Sequence, residues 1–261
     1  MSLILVRGSG DVGSAVAHRL FIEHHKVILQ DDASPAYTRR GMAFTDVFFD
    51  GKAELDHVIA KRSALGEHVG TMLACGRAIP ALIGDWRNII NALHPAVVID
   101  ARLKKRATPE SIRGAAPLTI GLGPKFIATE HVDVVIETSW EAPGNVIKQG
   151  PSLPLQGEPQ PLGGHGRERY VYAPNAGRFE TSYRIGDHVT AGEQIAMLDG
   201  EPILAPLSGR LRGLIHSGVE VAQGAKIIEV DPRERDAVVF GLGERPTKIA
   251  EGIVSILNES H

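Results

Sequence analysis

Residues 3–20 read LILVRGSGDVGSAVAHRL, an apolar strand joined to an amphipathic helix through Gly8, Gly10 and Gly13. G-x-G-x-x-G between a strand and a helix constrains a chain strongly, because each glycine answers a separate steric demand. The first permits a tight turn, the second a close backbone approach to a pyrophosphate, and the third close packing of helix on strand. N–H groups at the helix start then face an anion, with the positive end of the helix dipole behind them. A phosphate-bearing small molecule is the expected ligand, with Arg7, Gly8, Gly10, Asp11 and Gly13 around it. A tight turn that binds nothing is the alternative.

The pattern continues as a doubly wound sheet. Strand-like runs at 26–30 (KVILQ), 79–83 (IPALI), 96–100 (AVVID), 118–120 and 132–136 alternate with helical periodicity, and Asp85 stands as an N-cap for a helix ending at Leu93. A further strand is expected at 55–60 and a helix at 64–75. In an open parallel sheet the carboxyl ends of the strands line the binding crevice, and polar residues follow most of these runs. Asp31 is either a ribose-hydroxyl acceptor or a solvated turn carboxylate. Arg39 and Arg40 are either a phosphate clamp or a surface turn. Asp100, Arg102 and Lys104 open a run, DARLKKR, that places four cations after a buried strand. Gly121 and Gly123 read as a second backbone cradle, and Glu137 as a hydroxyl acceptor or helix cap.

Residues 150–166 are dominated by proline and glycine and read as a linker or an extended excursion. Beyond it lies an internal repeat. Ala173, Pro174, Gly177, Gly186, Val189, Gly192, Ile195 and Asp199 recur at a constant spacing as Ala205, Pro206, Gly209, Gly218, Val221, Gly224, Ile227 and Asp231. Two short β units of this kind bury their apolar faces only against each other, which predicts a flattened, pseudo-two-fold barrel. These runs resemble lipoyl and biotinyl carrier domains. The hairpin that carries the modified lysine in such domains reads LDGEPI here, so no biotin or lipoyl attachment is expected. The expected domains are therefore 1–149, a Rossmann-like nucleotide-binding domain; 150–167, a linker; 168–232, a lipoyl/biotinyl-like barrel-sandwich; and 233–261, a C-terminal segment with an amphipathic helix.

Composition narrows the partners. A formal net charge of -3 gives no general field for nucleic acid. No apolar run reaches membrane-spanning length, and no charged-then-apolar leader opens the chain, so the cytoplasm is the expected compartment. The single cysteine, Cys75, excludes an internal disulfide framework and is expected as a small buried side chain. No metal site, nucleophile elbow or P-loop lysine is evident.

Taken together, RGSGDVGSAVAHRL, paired arginines, IDARLKKR, IGLGPKF, VVIET and a lysine-free barrel resemble the YqeB family, accessory proteins of molybdenum hydroxylase systems related to xanthine dehydrogenase accessory factors. The resemblance implies a maturation factor that handles molybdopterin or its cytosine dinucleotide for a client hydroxylase or with other maturation factors, selenium or sulfur chemistry and homo-oligomerisation staying open. It departs after Glu137-Thr138, where the family's Arg-Gly-His stretch is replaced by Ser139-Trp140-Glu141-Ala142-Pro143. An NAD(P)-dependent oxidoreductase and a non-catalytic adaptor with a vestigial nucleotide site are the competing readings.

Overall fold

The computed structural model describes residues 1–104, 107–154 and 159–259. Lys105 and Arg106 of the cationic run, and part of the expected linker, lie outside the described residues. By internal contacts the chain divides into two compact units, one of Met1–Ala33, Ala43–Gln156 and Leu242–His261, the other of Ser34–Met42 and Gly157–Gly241. Two boundaries differ from those expected. Of the expected C-terminal segment, Leu242–His261 belongs to the first unit and 233–241 to the second, and the loop bearing Arg39 and Arg40 belongs to the second.

The first unit is built on β1 (Leu3–Arg7), whose side chains alternate between two cores: Ile4 and Val6 face one, Leu5 the other. A strand buried on both faces is what a continuous apolar run in a parallel sheet produces. Beside it run β2 (Lys26–Asp31), β3 (Lys52–Leu55), β4 (Val58–Ser63), β5 (Ile79–Ile83), β6 (Val97–Asp100) and β7 (Leu118–Leu122). After the short β8 (Ile127–Ala128) come β9 (Val134–Ile136), β10 (Val146–Ile147) and β11 (Gly150–Pro151), the last pairing with β8. The nine-stranded sheet has the order β10-β9-β7-β6-β1-β2-β5-β4-β3, parallel from β9 to β4 with an antiparallel strand at each edge.

Helix α1 (Asp11–Ile22), the short α2 (Val47–Asp50) and α5 (Glu244–Glu259) contribute Val12, Val16, Val47, Ile249 and Ile253 to the core on one face. Helices α3 (Glu67–Cys75) and α4 (Trp86–Leu93) contribute Val69, Trp86 and Ile89 to the other. The strand expected at 55–60 is two strands: Asp56 and His57 both take positive φ and turn β3 back as β4. Cys75 is exposed rather than buried, because α3 buries only Val69. No helix among the described residues is long and apolar enough to cross a membrane.

The second unit holds β12 (Tyr170–Tyr172), β13 (Gly177–Glu180), β14 (His188–Val189), β15 (Gln194–Leu198), β16 (Glu201–Leu204), β17 (Gly209–Leu214), β18 (Val219–Val221) and β19 (Lys226–Asp231). They form two four-stranded antiparallel sheets, β12-β19-β17-β14 and β16-β15-β13-β18. Equivalent strands of the repeat occupy equivalent places in opposite sheets, so each sheet takes strands from both halves. Neither half closes its own sheet, which is why the repeat comes as a pair. The β15–β16 hairpin turns on Asp199 and Gly200, both at positive φ, as a two-residue primed turn requires.

The whole chain is thus mixed α/β, a largely parallel sheet accompanied by smaller antiparallel ones.

Candidate functional site: the carboxyl ends of β1, β6 and β7

The chain runs outward from β1 in both directions, so the crevice of the first unit lies where β1 and β6 end. Arg7 ends β1 and Asp100 ends β6, and both are buried. Their side chains pair at 3.3 Å. Arg102 reaches back to the same carboxylate with Nε at 3.0 Å from Oδ1 and Nη2 at 2.5 Å from Oδ2, a forked contact suited to a guanidinium. Glu110 completes the network, accepting from Arg7 at 3.2 Å, from Arg102 at 3.4 Å and from Arg87 of α4. Trp86 lies under Arg7 and Arg87, with their guanidinium carbons 4.1 and 4.6 Å from a ring centroid. Burial pushes the Glu110 carboxyl up, yet Arg7 and Arg87 outweigh it and hold the group below its ordinary value.

These contacts revise the glycine loop. Gly8 has φ +104°, and a Cβ there would stand 2.9 Å from Cα and N of Arg102, so this glycine admits the chain leaving β6 rather than a ligand. Gly13 admits the loop itself, its Cβ position being 2.0 Å from the Gly8 carbonyl oxygen. Gly10 is the N-cap of α1, with φ −65°. Four of the loop's N–H groups are engaged within the protein: Gly8 N on the Gln30 carbonyl, Ser9 N on Asp31 at 2.6 Å, Val12 N on the Asp11 carboxylate at 2.8 Å, and Ser14 N on the Gly10 carbonyl. Asp11 and Asp31 supply negative charge where an incoming phosphate was expected. Asp31 also accepts from the Ser9 hydroxyl at 2.7 Å and from Asp32 N at 2.8 Å, so its oxygens serve the loop before any ribose. Burial raises its pKa, and the Ser9 bonds offset part of that rise.

Five other expected ligand residues are taken up by structural contacts. Arg39 pairs with Glu229 at 2.9 Å and Arg40 donates to the Leu214 carbonyl at 2.7 Å, both within the second unit. Gly121 makes room for the Phe126 ring, and the Gly123 N–H and carbonyl are taken by Ile136 and Ser152, so no second cradle forms. The buried Glu137 accepts from the backbone N–H groups of Thr138, Ser139 and Leu153, each at 2.7 Å. It is a strut for two loops. Glu137→Ala leaves those donors without their acceptor and is expected to cost about 2–3 kcal/mol in urea unfolding at neutral pH; a loss under 0.5 kcal/mol contradicts the assignment.

What stays open is a cavity of about 170 Å³ one step along the sheet, beyond β6 and β7. Arg102, Lys104, Thr108 and Glu110 give it polar walls, and Leu122 and Phe126 an apolar one. Lys104 is exposed and makes no ion pair among the described residues. Of the expected ligand residues, Arg7, Asp100, Arg102 and Lys104 are therefore brought together. Glu110 escaped the sequence reading, since nothing local marks it.

No family model matches the chain. It is similar to a protein of Escherichia coli (strain K12) described as uncharacterized protein YqeB. The two are 33% identical over 258 residues, covering 98% of this chain and 47% of that protein. The chain thus spans about half the length of this curated relative. Among solved structures, a succinylglutamatedesuccinylase/aspartoacylase from Rhodobacter sphaeroides aligns with 85% of this chain and 63% of its own at 16% identity and a TM-score of 0.25, a likeness too slight to bear on fold or function.

Proposed function

We propose that the first unit is a Rossmann-like domain that binds a phosphate-bearing cofactor in the β6–β7 cavity, and that the chain is a cytoplasmic accessory factor for a molybdenum hydroxylase. The observation that carries the binding half is Lys104, an exposed cation beside Arg102 at the rim of a cavity with one apolar wall. Leaving aside β3, β4 and β10, the strands follow the order 3-2-1-4-5-6 of dinucleotide-binding sheets, which favours ligands at these carboxyl ends. The donor set suits phosphate oxygens, and the apolar wall suits a pterin or base. Arg102 and Lys104 would hold the phosphate of molybdopterin or its cytosine dinucleotide. The client hydroxylase comes from the sequence resemblance alone. The second unit, a lipoyl/biotinyl-like sandwich with Asp199-Gly200 in place of a modifiable lysine, is read as a docking module.

The closed glycine loop and the engaged Asp31 weigh against the NAD oxidoreductase reading and favour the adaptor as the runner-up. Equilibrium dialysis with cytidine diphosphate, molybdopterin cytosine dinucleotide and NADH separates the readings. Binding of the first two is expected, and Lys104→Ala should weaken it about tenfold, one charge-assisted contact's worth, without changing the melting temperature. If none of these compounds binds, the adaptor reading replaces this one.

A further inference from the structure

Three guanidiniums from separate parts of the first unit converge on one carboxylate. Arg7 comes from the end of β1, Arg87 from the first turn of α4 and Arg102 from the loop after β6, and all donate to Glu110. Such convergence is what an oxyanion site needs, since each guanidinium offers a planar fork to oxygen atoms. Asp100 takes Arg7 and Arg102, and Asp85 lies 3.6 Å from Arg87 at the exposed edge, so Glu110 is the one carboxylate that all three guanidiniums share. The least satisfied of the three is Arg7, which is 1% exposed and whose Nε is buried without a hydrogen-bond partner among the described residues. Glu110 is the partner that water reaches, its side chain being 33% accessible against 4% for Asp100.

Resting on the cavity reading above, we propose that Glu110 holds the place of the ligand's dianionic phosphate, which on binding displaces its carboxylate and takes over Arg7, Arg87 and Arg102. With Glu110 swung to solvent, a phosphate monoester brings three terminal oxygens to the three guanidiniums, where the carboxylate brings two. The cavity then receives the remainder of the ligand along Leu122 and Phe126. Selectivity for a phosphate monoester over a carboxylate follows from that third oxygen and the second charge, because a carboxylate merely replaces Glu110 in kind.

Trp86 reports on the exchange because it stacks on two of the three guanidiniums. Inorganic phosphate at about pH 8, where it is mostly dianionic, and separately acetate, are titrated into the full chain carrying Trp140→Phe, which leaves Trp86 as the fluorophore. Phosphate is expected to change the emission and acetate to do so at least about tenfold more weakly. Glu110→Gln removes the internal competitor and should tighten phosphate binding about tenfold, whereas Arg87→Ala should weaken it by a similar factor. Arg87 has a side chain 57% exposed, so its replacement tests the site even if the Glu110 variant folds poorly. Unchanged or weaker phosphate affinity in a folded Glu110→Gln protein, or unchanged affinity in Arg87→Ala, overturns the displacement. If the Lys104→Ala effect on cytidine diphosphate persists in that case, the cavity reading survives. Absence of phosphate, cytidine diphosphate and molybdopterin cytosine dinucleotide binding in every protein removes both.

Discussion

A Glu229→Ala protein is expected to lose about 3–5 kcal/mol of the second unit's stability, the range for leaving buried charges without their partner. Glu229 lies on β19 with 0% exposure, and four cations meet on it: Arg39 at 2.9 Å, Arg169 at 2.6 Å, Arg212 at 2.9 Å and Lys226 at 2.8 Å. Arg169 is itself only 2% exposed, so water cannot replace the lost carboxylate there. Burial alone would favour the neutral acid, but Arg39 and Lys226 prevail and hold the carboxyl well below its usual range. A depressed carboxyl stabilises the fold fully above its unfolded pKa, about 4.3, and that contribution fades as pH falls through the folded value. The stability gap between the natural chain and Glu229→Gln should therefore be widest near neutrality and narrow below about pH 4. Urea unfolding followed by circular dichroism across this range is the check. A gap under 1 kcal/mol at pH 7, or one independent of pH, would show that the cations are held by other contacts.

The next largest effect is expected from adding one methyl group to the glycine loop. Gly13→Ala places a Cβ 2.0 Å from the Gly8 carbonyl oxygen and 3.0 Å from its carbon, both backbone atoms. Either α1 or the end of β1 must then move, and the core beneath them contains Val6, Val12 and Val16. The cost should reach about 3 kcal/mol or more, at the upper end for overpacking, because no side chain can rotate away. Gly70→Ala supplies the contrast. Gly70 lies within α3 with open space around its Cβ position, so the same substitution should add about 0.5–1 kcal/mol of stability. Thermal melts of the two variants are expected to move in opposite directions. Equal shifts would mean that the loop is more plastic than its contacts imply.

Much of the architecture was legible because local signals and global fold agreed. The apolar runs at 26–30, 79–83 and 96–100 are strands within a residue of those bounds, and Asp85 caps α4 by accepting from Arg87 N. The repeat showed itself through glycines such as Gly186 and Gly218, which adopt φ of 92° and 88° in the structure. The β3–β4 hairpin was missed because Asp56-His57 makes the turn without the glycine that normally announces it. Cys75 was misplaced because an apolar run on a helix says nothing about which side the sheet covers. Glu229 was passed over inside KIIEVD, although an acid within an apolar strand is itself a sign that cations wait nearby.

The amino-acid order alone determined that this chain would form a parallel sheet with helices and a doubled β unit, because periodicity, turns and glycines act over a few residues. Which charges meet was decided only by folding. Arg7 and Glu110 are 103 positions apart and Arg39 and Glu229 are 190 apart. Coulomb attraction carries no address: any of these arginines could satisfy any acid in an open chain, and only the packed backbone brings particular ones within hydrogen-bonding distance. For the same reason the glycine loop advertised a phosphate seat, while the folded chain spent several of its donors on its own carbonyls and carboxylates and left the cavity beside β7.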